Sequence, residues 1–261
     1  MGEGAFDLRR FLGELERLGC GRRRELLAFD RIDSTSSELV RRMRAGSGAG
    51  AFAVADEQSE GRGRLGRSWH SPAGGSLYAS LIVEVAADAV TFVPLAAGVA
   101  AVDALERAGS PRPSLKWPND LVLDGRKLGG ILCEAPLPSD RPGALVVGIG
   151  LNLARAAFPL ELRELAVALD EVGRDAPRRE PLVAGWVFEL ERRVAALGGA
   201  ESATGLVRAW RERAEPFGRR VRVDGIEGRI VALDEEGRLI LERDDGRTVA
   251  LVGGIVENAD C

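Results

Sequence analysis

Lysine is almost missing from this chain of 261 residues: it stands only at Lys116 and Lys127, although lysine and arginine together number 36. Glutamine occurs only at Gln58, tyrosine only at Tyr78, histidine only at His70, and asparagine only at Asn119, Asn152 and Asn258. Arginine has taken nearly every basic position, yet the two cations are not equivalent, lysine being a compact point charge and arginine a planar fork. A position that keeps Lys, Gln or Asn against this drift needs that side chain, and five of these rare residues fall inside short motifs. Cysteine is scarce too: Cys20, Cys133 and Cys261 form no C-x-x-C pair and are odd in number, which fits reduced thiols in a cytoplasmic setting better than a disulfide framework or a zinc site. The longest mostly apolar run, Val90 to Val102, is interrupted by Pro94 and Gly98 and falls short of the ~20 residues of a membrane span. Met1 to Arg10 carries acids and arginines where a signal peptide has its apolar centre, so neither insertion in nor passage across a membrane is expected. With 36 basic against 40 acidic residues, a net charge of -4 and no single-sign tail, non-specific binding to DNA has no electrostatic support.

What is present is a hydrophobic fraction of 45%, enough for one large domain and a small one. Phe6, Leu8, Phe11, Leu12, Leu15 and Leu18 recur at near-helical spacing, which predicts a short amphipathic leader helix, too short for a DNA-binding helix-turn-helix domain. Strands are expected at Leu26 to Asp30, Ala51 to Ala55, Ser76 to Val85, Ser114 to Trp117, Leu121 to Leu123, Leu128 to Glu134 and Ala144 to Leu151, with turns at Asp124-Gly125 and Pro142-Gly143. Ser34 or Thr35 can cap a helix running through Met43 to Gly46, and Phe92 to Ala108 reads as an alanine-rich helix. Strands that follow one another as meanders imply an α+β domain with a mixed, largely antiparallel sheet. From Leu160 a helical character is expected, clearest over Leu182 to Leu197 and Ala203 to Arg213. After Pro216, short strands at Arg219 to Val223, Gly228 to Leu233, Arg238 to Glu242 and Thr248 to Leu251, spaced by Asp-Gly and Glu-Gly turns, predict a small barrel. The short gap from Arg213 to Gly218 predicts that this barrel packs on the main domain. The divisions expected are a leader (1–28), a catalytic domain (29–213) and a barrel (214–261).

Two stretches carry chemistry. Gly61-Arg62-Gly63-Arg64-Leu65-Gly66-Arg67 matches G-x-G-x-x-G, but Ser68 to Gly75 holds Pro72 and opens no helix, so it is not a dinucleotide fingerprint. Glycines let backbone amides approach an anion, and Arg62, Arg64 and Arg67 add forked donors for phosphate or carboxylate; a solvated basic loop is the alternative. The whole stretch from Glu57 to Gly75 reads as one loop, long enough to suggest a functional role. Leu115-Lys116-Trp117-Pro118-Asn119-Asp120 and Arg126-Lys127-Leu128-Gly129-Gly130 hold both lysines of the chain. A strand-turn-strand arrangement would set Lys116, Asp120 and Lys127 close together, two ammonium groups and a carboxylate suited to phosphates, a metal or an incoming amine; a charged surface hairpin is the alternative.

On these residues the sequence resembles the biotin protein ligase family. The resemblance rests on Asp33-Ser34-Thr35-Ser36, on Gln58 to Trp69, on Lys116 to Asp120 with Lys127 to Leu132, and on Val147-Gly148-Ile149-Gly150-Leu151-Asn152, all in the family's order. It extends over roughly Phe29 to Asn258. What it implies is a catalytic fold like that of class II aminoacyl-tRNA synthetases followed by an SH3-like barrel, and a reaction in which ATP converts biotin to its adenylate before transfer to a lysine. The implied acceptor is the biotin carboxyl carrier protein domain of a biotin-dependent carboxylase, with Mg2+ accompanying ATP.

By the same resemblance, Ser34, Thr35, Ser36 and Gln58 would hold the ureido head of biotin, and Arg62, Gly63 and Arg64 would close over biotin and its adenylate. Lys127 would sit at the biotin carboxylate and α-phosphate. Arg62, Arg64, Arg67, Trp69, Lys116, Asn119 and Asn152 would hold ATP. The catalytic set implied is Lys127, Asp120 and Arg64, with Asp120 orienting or deprotonating the acceptor lysine and standing as a candidate metal contact. Many bacterial members carry an N-terminal winged DNA-binding domain, and about thirty residues precede the first motif here, so repression is not expected. Ser36 stands where the family often has Asn. His70 reads as a loop residue, not a catalytic base, and Trp186 and Phe188 as helix packing. A lipoate or octanoate ligase of the same superfamily and a non-catalytic biotin sensor are the rival readings. Monomer and homodimer both remain compatible with the sequence.

Overall fold

The computed structural model describes residues 6–20, 25–135, 142–155, 158–172, 177–198 and 200–259. Cys261 lies outside them. The first helix, α1 (Leu8–Arg17), begins where Asp7 accepts the Arg9 and Arg10 amides at 2.9 and 3.1 Å, which satisfies two of the donors every helix start leaves open. Its buried face is Phe11 and Leu15, and Phe11 stacks on Phe52 with ring centroids 4.6 Å apart. The leader is thereby part of the main core.

Seven strands build the main sheet: β1 (Leu26–Ile32), β2 (Phe52–Gln58), β3 (Ser76–Glu84), β4 (Ser114–Lys116), β5 (Asp120–Leu123), β6 (Arg126–Glu134) and β7 (Ala144–Asn152). Their order is β1-β2-β3-β7-β6-β5-β4, with β1 and β2 parallel and every other neighbour antiparallel. The parallel pair needs a crossover, and α2 (Thr35–Arg44) supplies it, burying Leu39 and Met43 against Ala53, Ile82 and Val146 on one face of the sheet. The other face carries α3 (Val93–Arg107) with α4 (Arg179–Ala196) and α5 (Ala200–Arg211) packed on it. The stretch Ala87–Arg107 is long and apolar enough, by length and composition, to cross a membrane. Its apolarity has a local cause: most of α3 is buried between the sheet, α4 and α5, and the Trp186 indole donates to Ala97 O at 3.3 Å.

The region after Leu160 departs from expectation. In place of a helix it forms single turns at Leu160–Leu162 and Leu169–Val172, with Ala166 between them paired to Lys127. The Lys127 amide donates to Leu165 O at 2.9 Å and the Val167 amide donates to Lys127 O at 3.0 Å, so this segment's backbone is satisfied by β6 and not by a helix of its own.

The C-terminal barrel has five antiparallel strands, β8 (Arg220–Val223), β9 (Ile226–Leu233), β10 (Leu239–Glu242), β11 (Thr248–Leu251) and β12 (Val256–Asn258), in the order β11-β10-β9-β8-β12. Four were legible in the sequence. The fifth, β12, is three residues long and is defined by its pairing with β8, a non-local contact that no alternation announces. The tight turn between β8 and β9 places Asp224 at φ 47 and Gly225 at φ 84, the left-handed pair that a two-residue hairpin requires. The chain leaving α5 runs beside β4: the Leu115 amide donates to Arg213 O at 2.7 Å and the Glu215 amide donates to Leu115 O at 2.9 Å. This covers the sheet's edge strand, and Trp117 Nε1, donating to Gly237 O at 3.2 Å, fixes the barrel to it.

Candidate active site

All four motifs open onto one cavity of about 640 Å³. Its walls come from the start of α2, the 61–70 loop, β3 to β7, the 158–166 segment and the barrel. One end is made of hydroxyls and an amide. The Thr35 amide donates to Gln58 Oε1 at 2.9 Å, which fixes the orientation of that side chain, and the Thr35 hydroxyl donates to the same oxygen at 3.2 Å. With that hydrogen committed, Ser80 Oγ, 2.8 Å away, must be the donor to Thr35 Oγ1, and Ser36 Oγ, at 3.0 Å, the donor to Ser80. Gln58 Nε2 donates onward to Ser71 Oγ at 3.0 Å, and Ser71 donates to Trp69 O at 3.0 Å. The outcome is a one-way relay with few choices. It leaves the second Gln58 N–H and the Ser34 hydroxyl to donate into the cavity, and lone pairs on Ser36 and Thr35 to accept from it. Such an end selects a ligand head carrying both a carbonyl and N–H groups.

The relay is held by the start of α2. Ser34 caps the helix, its own amide donates to Asp33 Oδ1 at 2.7 Å, and Arg41 clamps Asp33 with two hydrogen bonds of 2.7 and 2.9 Å. The Arg41 guanidinium holds the Asp33 carboxyl below its usual range. Two glycines of β7 make room on the facing wall. A Cβ at Gly148 would stand 2.6 Å from Ser36 Oγ, and one at Gly150 would stand 2.7 Å from the Trp69 indole.

At the other end, Lys127 Nζ lies 2.6 Å from Asp120 Oδ1 and 5.3 Å from the centroid of the Trp69 ring. Lys116 is the register partner of Asp120 across β4 and β5, so the expected grouping of two ammonium groups and a carboxylate is present. Asn152 donates to Lys127 O at 3.1 Å and Asn119 to Ile131 O at 2.7 Å, locking the strands that present these charges. The arginine loop folds over them: Arg64 donates to Asn119 Oδ1 at 3.1 Å, and Arg62 donates to Ser37 Oγ at 3.0 Å and pairs with Glu134. Arg67, Gly63 and His70 line the cavity from the same loop.

Sequence reasoning missed several wall residues. Ser80, Phe158, Leu162, Glu215, Arg219, Gly254 and Ile255 all border the cavity. Ser80 had no distinguishing signal in the sequence: it is one of two serines in β3, and only the structure shows its hydroxyl fully buried, where it must find partners. The barrel residues had none, since only the docking of the barrel brings them near.

The Biotin/lipoate A/B protein ligase family matches residues 28–152, and the Biotin protein ligase C terminal domain matches residues 217–257. A biotin--[acetyl-CoA-carboxylase] ligase of Mycobacterium tuberculosis is 35% identical over 247 residues, covering 89% of this chain and 88% of its own length. This chain belongs to the biotin protein ligase family. The bifunctional ligase/repressor BirA of Escherichia coli is 32% identical over 220 residues, 82% of this ligase-family chain and 68% of that protein. Among solved structures, the biotin protein ligase of Aquifex aeolicus in complex with biotin and ATP superposes with a TM-score of 0.73 at 29% identity, covering 89% of this chain and 97% of that one. The α+β sheet and the C-terminal barrel are therefore those of a biotin protein ligase.

Proposed function

We propose that this chain is a biotin--[biotin carboxyl-carrier protein] ligase: it activates biotin with ATP as biotinoyl-5'-AMP, releases pyrophosphate, and transfers the acyl group to one lysine of a carrier domain of a biotin-dependent carboxylase. The observation that carries this reading is the cavity's polarity, a Gln58–Thr35–Ser80–Ser36 relay at one end and the Lys127–Asp120 pair at the other. The ureido head of biotin offers a carbonyl to the Ser34 and Gln58 donors and two N–H groups to the acceptors, while its carboxylate reaches Lys127. Lys127 neutralises the charge that builds on carboxylate and α-phosphate as the mixed anhydride forms. Arg62, Gly63 and Arg64 close over that intermediate and exclude water, because the anhydride hydrolyses once exposed. On this reading Asp120 orients the incoming amine and receives its proton, and Trp69, Arg67, Lys116, Asn119 and Asn152 surround ATP.

Among the described residues no three His, Cys, Asp or Glu side chains converge. That suits Mg2+, which takes one or two carboxylates and keeps the remaining positions for phosphate and water; Asp120 would hold it, and it would neutralise the departing pyrophosphate. The reaction's setting on this reading is the cytoplasm. A lipoate or octanoate ligase would present an apolar chain to the same relay and leave its polar groups unpaired, a discrimination worth orders of magnitude in buried sites. Exchange of labelled pyrophosphate into ATP tests the choice. Exchange is expected with biotin and not with lipoate; equal exchange with both would reject the assignment of the relay to a ureido head.

A further inference from the structure

Five charged side chains on the cavity wall alternate in sign along one line. Lys127 on β6 meets Asp120 on β5 at 2.6 Å, and Asp120 is the register partner of Lys116 on β4. Beyond β4 the chain leaving α5 adds a further rung: Ala214 pairs in parallel with Leu115, which brings Glu215 alongside Lys116. Glu215 in turn holds Arg219, at the entrance to the barrel, with an Nη2 to Oε2 distance of 2.6 Å. All five border the same cavity. Lys127 and Lys116 lie two strands apart, ~10 Å between backbones, Arg219 follows through its pair with Glu215, and all three side chains are long enough to converge on one bound polyanion.

Arg219 is under-used where it stands. Its Nε–H is buried and has no hydrogen-bond partner among the described residues, which costs free energy unless a ligand supplies an acceptor. Lys116 has no ion-pair partner among the described residues. Glu215 is the opposite case, a mostly buried carboxylate beside two cations, and a phosphate chain arriving there would be repelled by it while attracted to its neighbours. An arginine suits this place because its fork engages two phosphate oxygens at once.

We infer that Arg219, carried by the barrel, is the outermost binding group for the polyphosphate tail of ATP and for departing pyrophosphate, and that Glu215 is a placeholder that holds it ready and is displaced on binding. The inference rests on the adenylation reading and extends it: the barrel contributes a nucleotide subsite and is not only a packing partner. Release of Glu215 would couple loss of pyrophosphate to re-formation of the Glu215–Arg219 pair. That assists product departure.

Arg219→Gln, Arg219→Lys and Glu215→Gln test it, with KM for ATP, KM for biotin and inhibition by pyrophosphate read in the exchange assay, and melting temperature as the folding control. Arg219→Gln is expected to raise KM for ATP and the inhibition constant of pyrophosphate about tenfold, with KM for biotin unchanged. Arg219→Lys recovers most of that loss. Glu215→Gln is expected to move both constants the other way, to tighter binding, although it breaks the same ion pair. A merely structural pair predicts that both substitutions act in the same direction, and that result, or unchanged constants in folded Arg219→Gln, would overturn the inference. Calorimetric titration with inorganic triphosphate reads the subsite without turnover: weakened binding in Arg219→Gln is expected even in a protein that shows no biotin-dependent exchange, and equal binding by wild type and variant counts against the subsite alone.

Discussion

At the scale of single residues, Ser80 shows how a side chain that never reaches solvent can shape recognition. It is fully buried and stands between Thr35 and Ser36 at 2.8 and 3.0 Å, donating to Thr35, whose own hydrogen is committed to Gln58, and accepting from Ser36. Ser80→Ala is expected to leave the Ser36 hydroxyl free to turn and Thr35 Oγ1 without its incoming donor, raising KM for biotin about tenfold, the worth of one buried hydrogen bond with its orphaned partner, while kcat and KM for ATP stay near wild type. Steady-state exchange kinetics check this; an equal fall in kcat would mean that the relay acts on the chemical step instead of the head group. Gln58, Lys116, Asn119, Lys127 and Asn152 were legible from composition alone, because each is rare in the chain and each now borders the cavity. Ser80 was not, since serine is common here and its role depends on a neighbour 45 positions away. Cys133 gives a smaller lesson: burial pushes its thiol up to about 12, consistent with a reduced, unreactive side chain.

Elements place these residues, and two of them make separate demands. The start of α2 depends on Asp33, which binds the Ser34 amide and is clamped by Arg41. Because the Arg41 hydrogen bonds lower the Asp33 pKa in the fold, the stability they contribute is fully present above the carboxyl's ordinary value of 3.8 and is lost as pH falls through the lower folded value. Asp33→Asn is therefore expected to melt below wild type at neutral pH, with the gap narrowing as pH falls below 3.8 and through the lowered folded value; a gap that persists in acid would assign the loss to geometry and not to charge. The loop from Gly61 to Trp69 is tied over the cavity by the Arg64–Asn119 hydrogen bond of 3.1 Å. Arg64→Gly removes that tie. AMP released without transfer, measured in the absence of acceptor, is expected to rise several-fold, and unchanged release would remove Arg64 from the role of lid. Strand positions in the main sheet were readable from turns and alternation, whereas the helix expected after Leu160 was not formed, because the Lys127 edge of β6 outcompetes it for that segment's backbone groups.

For the whole molecule, the sequence order of elements revealed the class of fold but not which strands are neighbours. The order β3-β7-β6-β5-β4 puts Gly148 and Gly150 opposite Ser36 and Trp69, which no local pattern specifies, whereas the grouping of Lys116, Asp120 and Lys127 follows from the consecutive strands β4, β5 and β6 and was expected. The same holds for the barrel, whose strands were expected and whose docking through Trp117 and Gly237 brings Arg219, Gly254 and Ile255 to the cavity. The central claim is a two-step transfer of biotin to one lysine of a carrier domain. Its most direct test is mass spectrometry of a carboxylase carrier domain incubated with this protein, biotin and ATP, beside reactions lacking ATP and reactions with Lys127→Ala. One biotinyl group on one lysine, absent in both controls, is the expected result; an unmodified carrier domain in the complete reaction, with protein shown to be folded and to bind biotin, would contradict it.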